Sequence, residues 1–294
     1  MSGGNGHLGL LTFTTPPRRI VSLVPSVTAS LYDLGAGDRL VGVTDYCRPP
    51  ETVEVRRVGG TRNPDVEAIV ALAPDLIVAN QEENSRETVE ALEARGLKVW
   101  VTFPRSIPEA LAVLWALTRV LEIPEQGVRI RTMEATLEWT QRAAQSSPPV
   151  RVFCPIWQGT TADGLAWWMT FNQQTYANDV LACCGGANVF ADRTRRYPLA
   201  ADLGQAPAEE AQGRDTRYPR VTAEEIVSAQ PALILVPDEP MAFTAEDEAA
   251  LRGALASTPA VQGNRVVRVD GRLLTWHGTM LAHSLAVLPS LLAG

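Results

Sequence analysis

The chain repeats itself once, half its length apart. Residues 65–80 (DVEAIVALAPDLIVAN) align with residues 222–237 (TAEEIVSAQPALILVP), and Glu67/Glu224, Ile69/Ile226, Val70/Val227, Pro74/Pro231, Leu76/Leu233 and Ile77/Ile234 all keep one offset. Each copy reads as a short helix, a proline that stops it, and an apolar strand. A solenoid would repeat several times at a period of about 20 to 50 residues. A single widely spaced duplication instead predicts two similar lobes, each with its own core, facing each other across a cleft.

The rest of the pattern fits two such lobes. Residues 19–23 and 40–43 read as strands, the first feeding a helix that starts at Pro25-Ser26 and ends at Gly35. After the first repeat copy come a helix over 84–95 stopped by Gly96, a strand over 97–101 and a helix over 107–121 with apolar residues at Leu111, Leu114, Leu117 and Leu121. Strands alternating with helices predict an α/β fold, with a mainly parallel sheet in each lobe flanked by helices. Pro124 breaks the pattern, and a further helical stretch runs to about Ala144 with a stripe of Val128, Met133 and Leu137. It is predicted to join the lobes as one long, rigid helix. The expected organisation is a flexible tail over 1–18, an N-terminal α/β lobe over 19–123, the connecting helix over 124–147 and a C-terminal α/β lobe over 148–294. In the second lobe residues 202–220 are polar and aperiodic and read as a long loop or lid.

Composition removes several function classes. The 294 residues are 46% hydrophobic and 20% charged, with a net charge of -7, so neither nucleic acid nor an anionic membrane surface is the expected partner. No apolar run approaches the roughly 20 residues that span a bilayer. The first residues lack the basic start and apolar centre of an export signal, which leaves a cytoplasmic location open. Cys47, Cys154, Cys183 and Cys184 form no CxxC pair or Cys/His cluster, so they read as packing residues and their redox state is open. No GxSxG elbow, P-loop or strand-borne GxGxxG is present, and no catalytic residues are assigned. Only His7, His277 and His283 are available as imidazole ligands, too few for a bare metal site, so any metal is expected to arrive already chelated.

In open α/β sheets, ligands meet the loops beyond the carboxyl ends of the strands. Those loops carry Tyr46, Arg62 and Arg105 in the first half, and Trp157, Trp168, Tyr218, Trp276 and His277 in the second. Four of the seven tryptophans, Trp157, Trp167, Trp168 and Trp276, fall there, which suits a large, flat, partly apolar ligand or, equally, the capping of each core. Glu67 and Glu224 occupy the first turns of the repeat helices behind the N-cap residues Asp65 and Thr222. Interaction with the helix dipole, about 0.3 to 1 kcal/mol each, accounts for them without a further role.

The order of residues 19–26 (RIVSLVPS), 34–46 (LGAGDRLVGVTDY), 58–60 with Asn63, 185–190 (GGANVF), 217–222 (RYPRVT) and Trp276-His277 resembles the class III periplasmic substrate-binding proteins of ABC importers. That group has a helical backbone between two lobes, and the chain is similar to its cobalamin- and ferric-siderophore-binding branch. The resemblance implies a monomeric, periplasmic or cell-surface receptor without a catalytic cofactor. Such a receptor captures a metal chelate, cobalamin or another corrinoid first, and delivers it to a permease dimer. It implies aromatic contacts to the ring from Tyr46, Trp157 and Trp276, and docking of Glu67 and Glu224 onto permease arginines. Arg62 and Arg105 are then expected at the polar periphery of the ligand, with His277 as an axial contact to the chelated metal. A haem or siderophore receptor of the same fold, and an intracellular tetrapyrrole carrier or enzyme, stay open as alternatives.

Overall fold

The computed structural model describes residues 13–293 and divides into two compact units, the first comprising the chain up to Glu134 together with Trp276–Leu281, the second Ala135–Thr275 and the chain from Ala282. His7 and residues 1–12 of the expected tail lie outside the described residues.

Unit one contains β1 (Ile20–Ser22), α1 (Pro25–Asp33), β2 (Leu40–Val43), β3 (Arg56–Arg57), α2 (Val66–Ala71), β4 (Leu76–Asn80), α3 (Arg86–Glu93), β5 (Val99–Thr102) and α4 (Ile107–Val120). Its five strands are parallel in the order β3-β2-β1-β4-β5. The central strands β1 and β4 are buried at every residue, because helices cover both faces of such a sheet. Val21, Leu23, Ile69, Ile77, Leu92 and Val99 form one core, each large side chain contributing about 1.5–3 kcal/mol by leaving water.

A continuous helix, α5 (Gly127–Ala144), contains the division between the units. Its buried residues are Gly127, Ile130 and Met133 and Leu137 is half-buried, whereas Val128 is exposed, so the expected stripe fails at Val128 alone. Gly127 sets the phase of the buried face, since a Cβ there would stand 2.8 Å from the Trp115 ring.

Unit two contains β6 (Val150–Phe153), β7 (Trp157–Thr160), β8 (Ala166–Met169), α6 (Tyr176–Cys183), β9 (Gly186–Asn188), α7 (Leu199–Asp202), β10 (Arg220–Thr222), α8 (Ala223–Ala229), β11 (Leu233–Pro237), α9 (Ala245–Ala254), α10 (Pro259–Gln262), β12 (Val266–Val269), α11 (Arg272–Thr275) and the greater part of α12 (Met280–Ala293). Its parallel sheet runs β12-β11-β6-β9. With β6, β9, β11 and β12 matched to β1, β2, β4 and β5, this is the strand order of unit one without its edge strand.

The duplication extends to hydrogen bonds. Asp65 accepts from the Ala68 N–H and Thr222 from the Glu225 N–H as N-caps of α2 and α8. Both helices lead into left-handed residues, Ala73 at φ 42° and Gln230 at φ 44°. An arginine at the first strand closes each end: Arg19, just before β1, donates to the carbonyls of Leu72 and Ala73, and Arg151, within β6, to those of Ala229 and Gln230.

Unit two also holds an antiparallel sheet, β10-β8-β7, absent from the sequence expectation. Trp157, Trp167 and Trp168 therefore lie on strands rather than in loops. The segment expected as a lid begins at a buried carboxylate, Asp202, tied to Arg193 and to backbone N–H groups of Arg196 and Arg220. Cys47, Cys154, Cys183 and Cys184 are all buried free thiols.

Candidate functional site

Beyond the carboxyl ends of β1, β2 and β4, unit one builds a braced loop face. The turn carrying Tyr46 is closed by Cys47 N–H to the Thr44 carbonyl at 3.2 Å, and Asp45 N–H reaches the Gly59 carbonyl at 2.9 Å. Arg57 Nη1 donates to the carbonyls of Thr44 and Cys47 at 2.7 and 2.8 Å, and the buried Cys47 thiol takes a bond from Thr28. Burial pushes that thiol's pKa up, so it serves as a neutral anchor. On this rigid turn the Tyr46 ring is 65% exposed. A large side chain left in water on a braced turn is placed for contact with a ligand.

Asn84 ties neighbouring loops together. Its side chain accepts from the Asn80 N–H and donates to the carbonyls of Leu23 and Thr61. Arg62 is exposed and donates to the Glu82 carbonyl at 3.0 Å, and Arg105 is exposed with its guanidinium 5.6 Å from the Phe103 ring.

Trp276 and His277, assigned from sequence to the second lobe, pack with unit one. Thr279 donates from its N–H to Ser30 Oγ and from its hydroxyl to Asp33, the latter at 2.6 Å. Gly278 has φ +93°, and a Cβ there would stand 2.3 Å from Ser30 Oγ, so this close approach to α1 requires glycine. His277 is thereby drawn inward to 6% exposure. Its Nε2 lies 3.3 Å from Ser26 Oγ and 3.5 Å from Asn80 Nδ2. The Asn80 carbonyl oxygen accepts from the Glu82 N–H at 2.8 Å, which fixes the amide so that Nδ2 faces the imidazole. An amide N–H only donates, so Nε2 accepts and the ring is neutral. Burial lowers its pKa from 6.5 to about 4. Nε2 is thus engaged beneath the loop face. Trp276 is also buried, with the Arg48 guanidinium 6.0 Å from its ring.

In unit two, strand pairing sorts the aromatic residues. Trp157 pairs with Met169, Gln158 with Trp168, and Gly159 with Trp167, so alternate rows face opposite ways. Trp168 packs in the core with Phe153, Phe190 and Val221, which removes it from the expected ligand contacts. Trp157 is 45% exposed and Trp167 half-buried on the other face. Tyr218 is half-buried with the Arg217 guanidinium 5.2 Å from its ring. Trp167 was counted among the clustered tryptophans but not singled out as a contact, although two-residue alternation around Trp168 would have pointed to it, and Arg195 and Arg220 were passed over.

Glu67 and Glu224 are both exposed. Glu67 pairs with Arg95 at 2.6 Å, a surface contact worth about 0–1 kcal/mol. Glu224 stands at the rim of a cavity of about 620 Å³ that Arg196, Asp202 and Ser228 also line, while its neighbour Glu225 turns back to Arg193 and the Thr222 N–H. Among the described residues no group of three or more His, Cys, Asp or Glu is placed to hold a metal ion, and no helix is long and apolar enough to cross a membrane. His283 is exposed on α12.

Each unit is thus an α/β fold with a parallel sheet flanked by helices. A family model described as periplasmic binding protein matches residues 20–104. A vitamin B12-binding protein of Yersinia pestis is 30% identical over 223 residues, covering 74% of this chain and 69% of that protein. The chain belongs to this family of periplasmic binding proteins. Two solved structures share the fold. The periplasmic vitamin B12-binding protein of Vibrio cholerae has a TM-score of 0.73 at 24% identity, covering 95% of this chain and 98% of that one. A periplasmic haem-binding protein from Pseudomonas aeruginosa has a TM-score of 0.72 at 23% identity, covering 94% and 92%.

Proposed function

We propose that the protein is the substrate-binding component of an ABC importer and that it captures a corrinoid, cobalamin first, and hands it unchanged to a permease. The braced, exposed Tyr46 ring carries this reading, supported by the kinship to vitamin B12-binding proteins. In unit one, Tyr46 offers a ring face to an apolar macrocycle, and Arg62 and Arg105 offer donors to its amide or carboxylate rim. His277 acts as a buried neutral brace for the Trp276–Thr279 segment rather than as a metal ligand. Glu67 and Glu224 dock the loaded protein onto permease arginines, and a periplasmic or cell-surface location goes with that role. Capture and release need no bond to be made or broken, and the reading is accordingly non-enzymatic.

Absorbance titration with hydroxocobalamin, haem and a ferric siderophore tests the reading. A saturable shift with the corrinoid is expected. Preference for haem or siderophore would move the ligand class within the same receptor role, and affinity weaker than about 100 μM for all three, roughly -5.5 kcal/mol, would remove the role.

A further inference from the structure

The antiparallel sheet of unit two has one face that the core does not use. Pairing sets Trp157, Met169 and Arg220 in one row, and Gly159, Trp167 and Thr222 in a second row on the same side. The Trp167 indole lies across Gly159, where a Cβ would stand 2.4 Å from the ring. The Arg220 guanidinium sits 5.8 Å from the Trp167 ring. Both Nε and Nη1 of Arg220 are buried without an acceptor among the described residues. Arginine stays charged in proteins, so donors buried without a partner are costly and call for an occupant.

Three neighbouring arginines are matched: Arg193 with Asp202 and Glu225, Arg214 with Glu209, and Arg217 with Asp215. Arg195 differs. Its guanidinium lies 4.2 Å from the Tyr197 ring, and it forms no ion pair among the described residues. Burial lowers the Arg220 pKa, and the charge of Arg195 lowers it further. Asp202 offsets part of this, but its oxygens are taken by Arg193 and by the N–H groups of Arg196 and Arg220. Two cations that repel one another over aromatic rings, in a protein of net charge -7, are stabilised by an anion placed between them and water.

We propose that Arg220 and Arg195 form an oxyanion site on unit two that takes a phosphate or carboxylate group borne by the ligand. The identity of the ligand rests on the receptor reading above, whereas the anion site itself does not. Cobalamin offers a phosphodiester in its nucleotide loop, which cobinamide lacks. Haem offers two propionates, which its dimethyl ester masks.

The site is tested first without any chelate. Inorganic phosphate, titrated at constant ionic strength, should raise the melting temperature of the wild type and lose that effect in Arg220→Gln and Arg195→Gln. No shift in the wild type, or equal shifts in all three proteins, overturns the site. Chelate titrations then name the source of the anion. Arg220→Gln should weaken cyanocobalamin about 10- to 100-fold with cyanocobinamide unchanged if the phosphodiester is read. The same loss for haem, but not for its dimethyl ester, would assign a carboxylate. Equal loss for charged and uncharged partners gives Arg220 a structural role and overturns the proposal. A wild type that binds no chelate counts against the receptor reading alone, and the phosphate titration then decides the anion site.

Discussion

Lowering the pH should destabilise unit one through His277. The imidazole is buried and neutral, with a pKa of about 4 in the fold against 6.5 in the open chain. Between those values the unfolded chain binds the proton and the folded one does not. Stability from this group is therefore intact above the unfolded pKa and falls as pH drops toward the folded one. The loss reaches about 2 kcal/mol at pH 5 and levels off near 3 kcal/mol below pH 4, because a tenfold difference in proton affinity between the two states is worth about 1.4 kcal/mol. Urea unfolding of the wild type and of His277→Gln at pH 7 and pH 5 reads this directly. Glutamine keeps an oxygen that can accept from Asn80 but does not titrate in this range. The wild type should lose about 2 kcal/mol more than the variant across the interval, the other titrating groups cancelling between the two proteins. Identical pH dependence would refute the buried, neutral imidazole.

Asp202→Ala should cost about 3–5 kcal/mol of stability by chemical denaturation, because it strands the half-buried Arg193 and two backbone donors. Tyr46→Ala should leave the melting temperature within about 2 °C of wild type, since the ring is exposed, yet weaken corrinoid binding about tenfold or more. Equal affinity in that variant would detach Tyr46 from the site. Exchange of both Glu67 and Glu224 for lysine should preserve ligand affinity and abolish uptake in a transport assay, and uptake at the wild-type rate would end the docking role.

The duplicated halves were legible because buried parallel strands read as continuous apolar runs, and both Leu76–Asn80 and Leu233–Pro237 are such runs. The helix N-caps at Asp65 and Thr222 were legible for a local reason: the cap and its bonded N–H are three residues apart. What failed was nonlocal. β8 pairs with β10 across some fifty residues of chain, and short strands containing Gly159 and Thr160 carry little apolar signal of their own. Trp276 and His277 were placed with their sequence neighbours, whereas Ser26, Ser30 and Asn80, far away in sequence, hold the segment in unit one. Val128 failed by phase alone, one helical position from the buried Gly127. Arg19, just before β1, and Arg151, within β6, were not read as a pair, because their bonds to Ala73 and Gln230 appear only once the turns are folded.

Calorimetric titration of the purified protein with cyanocobalamin bears most directly on the receptor role. One ligand should bind per chain with Kd below about 1 μM, corresponding to -8.2 kcal/mol, and with a negative heat-capacity change from covered aromatic surface. Heats no larger than dilution at a ligand concentration of about 100 μM would contradict that role.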